Sequence, residues 1–372
     1  MTSRMDGERA LLRGSDQRKT ADWLAAHQQS SGEILWSHDG KSDPWDHVHA
    51  AMGLAALGRV DEAKAAYRYL ATIQEPNGAF AAERVGGHVT RISQETNHAA
   101  YIATGLWHLF CAQPDVDVLA ELWPNVERAI DWVVSLQLPN GAFAWAQKND
   151  KVWRAPLVTG SSSIHGSLVC ALRIAERLDV NRPLWRTALR RVARVLQKDM
   201  AVFNGTDLPE PPGRYSMDWY YPVLGGALRA HSGRARLTDP EWTNAFVEDG
   251  VGCRCVRDQP WYTVAETCEL VLALDAVGLT EQAKRVLGWT RAMRTEDGAY
   301  WTGATHPEKI IFPEGERTTW TASAVILAHD AVSGDSPTSS FFRDLDGAVL
   351  EPHSRERAHR TPYEEAPTQP AE

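Results

Sequence analysis

A seven-residue phrase returns along the chain and restricts what it can fold into. Gln74-Glu75-Pro76-Asn77-Gly78-Ala79-Phe80 recurs as Gln137-Leu138-Pro139-Asn140-Gly141-Ala142-Phe143, and in altered form as Arg294-Thr295-Glu296-Asp297-Gly298-Ala299-Tyr300. Gln28-Gln29-Ser30-Ser31-Gly32-Glu33-Ile34 is a worn copy; Phe203-Asn204-Gly205 and Glu248-Asp249-Gly250 are fainter ones. The six glycines stand about 45 to 65 residues apart, a spacing that signals a repeat architecture. Each phrase ends an amphipathic helical pattern, because glycine accepts the left-handed conformation that stops helices. The aromatic residue after it can pack back onto the helix just left. A polar stretch follows, then a more apolar helix.

The same alternation runs along the chain. Amphipathic segments near 16–29, 60–73, 119–136, 183–199, 240–249 and 280–293 alternate with apolar ones near 44–57, 93–110, 161–178, 216–230, 262–277 and 318–332. Asp43-Pro44 is a standard helix opening, cap then proline. A helix apolar nearly all round, such as the one carrying Met52, Leu54 and Leu57, lies inside a protein. Links from apolar to amphipathic helix are short. Links the other way run to roughly 10–25 residues, longer than compact domains usually tolerate without a functional reason. The simplest closed arrangement is all-α: an (α/α)6 barrel of six inner and six outer helices, with every long loop on the face that holds the inner N-termini. Residues 15–335 are expected to form this single domain, after a charged leader (1–14) and before a polar, disordered tail (336–372).

Net charge is −9 without a basic stripe, which argues against nucleic acid. Five scattered cysteines suit a reducing compartment, and no stretch is apolar enough for a signal peptide or a membrane span. A cytoplasmic protein is expected. Cys253-x-Cys255 is too close for the usual zinc spacing, and neither metal nor cofactor is called for.

The first turns of the expected inner helices carry Trp45, Asp46 and His47; Glu95 and His98; His165; Asp218, Trp219 and Tyr220; Trp261, Tyr262 and Glu266; and Trp320. Eight of the fifteen tryptophans (Trp36, Trp45, Trp145, Trp153, Trp219, Trp261, Trp301, Trp320) fall on these turns or the loops before them. Flat aromatic faces among polar groups suit sugar rings, so an oligo- or polysaccharide is the expected partner. Taken singly, the acidic residues have a plainer explanation in helix-start electrostatics, and the histidines and tryptophans in packing. Glu266 differs, standing among Val264, Ala265, Leu270, Val271 and Leu272, where a carboxylate is costly unless paired or functional.

The Gln-x3-Gly-x-aromatic phrase resembles the repeat of squalene and terpene cyclases and protein prenyltransferase β-subunits, which are α/α barrels. Their Asp-x-Asp-Asp, Asp-Cys-Thr-Ala-Glu and zinc motifs are missing from this chain, so the likeness extends to scaffold only. The layout of the carboxylates resembles helix-barrel glycoside hydrolases. Pro44-Trp45-Asp46-His47 and Trp261-Tyr262-Thr263-Val264-Ala265-Glu266 are similar to the actinobacterial methylmannose polysaccharide hydrolases, which implies endo-acting hydrolysis of an α-mannan.

The residues themselves assign the proton-donating role to Glu266, whose apolar setting retains a proton, and the base role to Asp46, kept ionised by the helix dipole. The two lie two positions apart around a six-helix ring, which predicts a separation of roughly 6.5–9.5 Å and inversion. Asp218 is the substitute for either role, or a ligand that orients the substrate, and Asp218 with Glu95 is the second pair. A sugar epimerase or unsaturated-uronide hydrolase on the same barrel stays open, with His98 and His165 as the epimerase's proton-moving pair. So does a prenyl-transferring or lipid-binding barrel.

Overall fold

The computed structural model describes residues 14–205 and 213–346. These residues are predominantly helical. The apolar helices are α2 (Pro44–Ala56), α4 (Thr96–Ala112), α6 (Val158–Arg177), α8 (Met217–Leu224), α11 (Val264–Ala276) and α13 (Thr319–Ser333). Each packs against the next in chain order, and α13 packs back on α2, so the six close into a ring. Around it stand α1 (Gly14–Ala25), α3 (Val60–Ile73), α5 (Val116–Ser135), α7 (Pro183–Lys198), α9 (Ala230–Leu237) and α12 (Thr280–Trp289). The outer helices rest on the ring, for instance α3 on α2 and α4, and α9 on α8 and α11. The pattern follows from sequence: α2 buries every one of its residues, whereas α3 buries only the Ala63, Ala66, Tyr67, Tyr69 and Leu70 stripe.

The repeated phrase joins neighbouring outer helices. The Gln74 amide donates to its own turn at Gly78 O (2.8 Å) and to Asn125 O in α5 (2.9 Å). Gln28 does the same to Gly32 O and Glu62 O in α3, and Gln137 to Gly141 O and Ala188 O in α7. In the third copy Arg294 takes the glutamine's place and donates to Asp16 O in α1 at 3.1 Å, which closes the outer circle. Phe80, Phe143 and Tyr300 are buried as the expected plugs.

The two faint copies behave differently. Asp249-Gly250 makes the hairpin turn between β7 (Val247–Glu248) and β8 (Gly252–Arg254), where a helix-ending turn was expected. Phe203-Asn204-Gly205 follows a 3-10 turn at Met200–Phe203 and borders residues outside the described ones. The fifth outer helix is α9, not the expected 240–249 segment. That segment forms α10 (Pro240–Phe246), which lies on β7 and β8. Helix α8 ends at Leu224, short of the expected residue 230. Gly225 follows it so close to Ser162 O that a Cβ there would lie 2.1 Å away.

The long loops are laced by small antiparallel sheets, which no extended alternation announced. They are β1 (Lys41–Ser42), β2 (Glu83–Val85) and β3 (His88–Arg91); β4 (Gln94–Glu95), β5 (Ala146–Lys148) and β6 (Lys151–Trp153); and β7, β8, β9 (Trp261–Thr263) and β10 (Gly303–Thr305). Residues 336–346, expected to begin a disordered tail, are ordered. Phe341, Phe342 and Leu345 are buried in the core, and the Arg343 guanidinium meets the Asp275 carboxylate. Phe342 and Leu345 line a space of about 20 Å³ with Tyr101, Leu272 and Glu269, deep in the ring. The rest of the expected tail, and leader residues 1–13, lie outside the described residues. Among the described residues no helix is long and apolar enough to cross a membrane.

The clamp makes a stability prediction. Gly78 has φ 95°, and a Cβ there would lie 2.2 Å from Arg128 O in α5. Gly58, behind α2, has φ 79° and open space around it. Urea unfolding should show Gly58→Ala losing about 1–2 kcal/mol, the conformational cost alone. Gly78→Ala should lose clearly more, because backbone has to move. Equal losses would refute the clamp.

Candidate active site

Three buried carboxylates from two inner helices meet in the ring. Asp46 on α2, and Glu266 and Glu269 one turn apart on α11, are 8%, 4% and 1% exposed. Asp43 caps α2 by accepting the Asp46 amide at 2.9 Å. Burial, and next the adjacent Asp43 carboxylate, push the Asp46 carboxyl well above its ordinary range. Glu266 accepts the Thr263 hydroxyl, and the Cys255 thiol is within hydrogen-bonding reach of it. Glu269 accepts Tyr220 OH and Tyr221 OH from α8, both at 2.7 Å. Burial pushes Glu269 up to about 8 against those two bonds, and the nearby Glu266 adds to the rise.

Aromatic rings wall the cluster. Trp45 stacks on Tyr101 of α4, with centroids 3.9 Å apart and planes 11° from parallel, and stands 6.2 Å from Tyr221 and 6.1 Å from His98. At the start of α4 Glu95 accepts the Trp145 indole N–H (3.3 Å) and Arg91 (3.3 Å), and lies 3.6 Å from His98 Nε2. The His98 Nδ1 atom is buried without a partner. Paired acids within an aromatic cleft can deliver a proton to a glycosidic oxygen and activate a water opposite it. Among the described residues, no group of three or more acidic, histidine or cysteine side chains could hold a metal ion.

Comparison with known proteins agrees with that chemistry. No family model matches the chain. It is 42% identical over 329 residues to the MMP endo-(1,4)-3-O-methyl-alpha-D-mannosidase of Mycolicibacterium hassiacum, covering 88% of this chain and 89% of that one. The chain belongs to that family of glycoside hydrolases. Solved structures share its fold at low identity. One is a glycosidase variant in complex with glucose (TM-score 0.67, 16% identity, 89% of this chain and 98% of that one). Another is the GH63 mannosylglycerate hydrolase of Thermus thermophilus with glucose (0.60, 12%, 84% and 99%). A D-mannose isomerase is similar too (0.61, 11%, 85% and 96%).

Several of the residues expected at the site are tied to other partners. The His47 ring spans from the Ile34 amide (3.0 Å) to Ala66 O (2.9 Å), a strut between loop and outer helix with no nitrogen left for a sugar. His165 bonds Gly225 O at 2.8 Å, and its charged neighbours are Arg229 and Asp346. Trp219 is 1% exposed and its indole donates to Arg236 O. Tyr220 is fully buried, with its hydroxyl donating to Glu269. Asp218 is held by the Thr159 hydroxyl (2.9 Å) and the Gly213 amide (3.2 Å) on the wall of a separate cavity of about 730 Å³.

Trp261 and Tyr262 stand on β9. The first donates to Phe312 O at 2.8 Å, and the hydroxyl of the second accepts from Arg254. The Trp320 indole N–H is buried without a partner. Asp46 is not at the open, polar helix start that was to keep it ionised; its burial beside Asp43 favours the protonated form. Glu269 escaped the sequence reading, although a second acid three residues after Glu266 falls on the same helix face.

The cluster should tie stability to pH. Glu269 binds its proton more tightly folded (about 8) than unfolded (about 4.3). Its contribution therefore falls as pH rises between those values and is constant above. Melting temperatures of Glu269→Gln measured against the parent should rise in relative terms from about pH 5 to about pH 8 and then level off. A difference that stays flat with pH would mean that Glu269 does not titrate there.

Proposed function

We propose that this chain is an endo-acting hydrolase of 3-O-methylated α-(1→4)-mannan, built as one (α/α)6-barrel domain of residues 15–346. What carries the reading is the 42% identity to the endo-mannosidase across 88% of the chain. It is supported by paired acids beside an aromatic wall. The closed ring of inner helices supports the barrel. The five thiols, none in a disulfide, support a cytoplasmic setting. The epimerase alternative needs His98 and His165 in one pocket, and the bond of His165 to Gly225 O takes it elsewhere.

Asp46 and Glu266 remain the proposed pair, with their roles exchanged. Asp46, raised by burial and Asp43, holds the proton for the leaving oxygen. Glu266, which accepts a hydrogen bond from the Thr263 hydroxyl, is the partner that takes a proton from water. Their placement on the first and fifth helices of the ring supports a separation wide enough for that water, and so inversion. Trp45 on Tyr101 supplies a sugar-facing platform, and Glu95 with His98 supplies polar edges beside it.

Incubation with α-(1→4)-mannose oligosaccharides, with and without 3-O-methyl groups, should release shorter oligosaccharides by mass. Proton NMR of the fresh reducing end should show the β anomer first. Asp46→Asn and Glu266→Gln should each lower kcat by about 10²-fold or more. On an α-oligomannoside with a dinitrophenyl leaving group, which needs no protonation, Asp46→Asn should regain turnover and Glu266→Gln should not. The opposite pattern would restore the first assignment, and release from prenyl diphosphates alone would overturn the class.

A further inference from the structure

Glu269 has no part in the two-acid scheme, yet it is the most deeply buried of the three carboxylates. Burying an acid costs free energy unless its oxygens are satisfied. Here both are, by neighbouring tyrosines from one helix. Tyr220 and Tyr221 are consecutive, so their rings leave α8 in different directions, and a single carboxyl ties both. Tyr221 is the ring that stands against Trp45. Glu269 thus links the helix carrying Glu266 to the aromatic wall over Asp46.

We propose that Glu269 is a positioning residue of the hydrolytic site: anchored by Tyr220 and Tyr221 one helical turn from Glu266, it holds Tyr221 against Trp45 and sets the electrostatic setting in which Asp46 keeps its proton. This rests on the reading of Asp46 and Glu266 as the reacting pair. The groups around Glu269 are almost all acidic or neutral. From α8 come the two tyrosines, from α4 Tyr101, and from its own helix Glu266 and Cys268. β8 and the strand end after it bring Cys253 and Cys255, whose thiols burial keeps neutral. From α2 come Asp46 and His49; burial pushes the His49 imidazole down to about 3, leaving it uncharged. The titratable groups of α13, His329 and Asp330, are bonded to Gln17 and to Ser336 and Thr338. Lys41 is the cation that bears on Asp46, and it also pairs with Glu83 at 3.2 Å. A negative charge at Glu269 opposes ionisation of Asp46. If Asp46 must be protonated to act, its ionisation forms the alkaline limb of the rate profile; Glu269 gains its charge as pH rises through about 8, and where it is charged its removal must move that limb to lower pH.

The test is the pH dependence of kcat/KM for Glu269→Gln on the α-mannan oligosaccharide, with Tyr220→Phe and Tyr221→Phe as volume-conserving partners and Glu266→Gln as control. The expected result is an alkaline limb lowered by about one pH unit in Glu269→Gln. A loss in kcat of about tenfold in Tyr221→Phe, with KM little changed, is expected beside it. A merely structural role would lower melting temperatures and leave the limb in place, and that outcome overturns the proposal. Should Glu269→Gln fail to fold, the two tyrosine variants decide: unchanged kcat and limb in both also overturn it. An active Glu266→Gln would instead sink the two-acid reading. An inactive Glu266→Gln beside a parent-like Glu269→Gln profile would sink only the role of Glu269.

Discussion

A side-chain amide that donates twice holds the frame. Gln74 bonds its own turn and the neighbouring outer helix with one nitrogen, and Gln28 and Gln137 repeat the geometry. Ring closure needs the last outer helix to find the first, and Arg294 on Asp16 O makes that contact across the whole chain. Contacts of this kind bridge residues far apart in sequence. They stabilise only once the intervening helix has formed, so each repeat is consolidated by the one after it. Because each turn sits at the start of a long loop, the same bonds also fix where the loops leave the frame.

Within that frame the site sets desolvation against charge. Asp46, Glu266 and Glu269 are buried among tyrosines, tryptophan and neutral thiols. Three ionised acids could not coexist there, since like charges in a poorly solvated space raise one another's proton affinity. The pocket divides the load. Tyrosine and threonine hydroxyls donate to Glu269 and Glu266, whereas the Asp46 carboxyl has another acid, Asp43, as its neighbour. The hydrogen-bond partners thus give these carboxyls different surroundings, which residue type alone leaves equivalent.

The frame was legible in sequence because its signals are local: a helix-stopping glycine, a cap, an apolar face. All six inner helices are present, and those besides α8 begin and end within a few residues of where periodicity put them. The failures have a common cause. Asp249-Gly250 is as good a hairpin signal as a helix stop, and nothing local separates the two. Phe341, Phe342 and Leu345 are too few to outweigh the polar residues around them, and only the floor of the ring shows why they are there. In sequence His47, His98 and His165 all fall near expected starts of inner helices, although His165 proves to lie two turns into α6. Which ring finds a backbone carbonyl depends on a neighbouring outer helix in one case and on Gly225 in the other. The burial of Asp46 was hidden for a similar reason, because a first-turn position alone does not show whether the side chain is exposed.

The two likenesses carried by the sequence therefore concern different parts of the molecule. The glutamine-glycine phrase belongs to outer-helix ends and answers a mechanical need, joining consecutive hairpins into a circle. Any chemistry that wants a closed helical ring can use it, which is why the phrase points equally to prenyl transfer and to hydrolysis. The carboxylates belong to the inner helices, where nothing in the clamp dictates them. Packing alone would have filled the position of Glu269 with leucine, as at Leu270 and Leu272. An acid there is stable only with Tyr220 and Tyr221 opposite, and those tyrosines have no use for their buried hydroxyls without it. Such a mutual dependence between helices α8 and α11 is a cost the fold has no mechanical need to bear, and that places it with the chemistry of the cleft rather than with the frame.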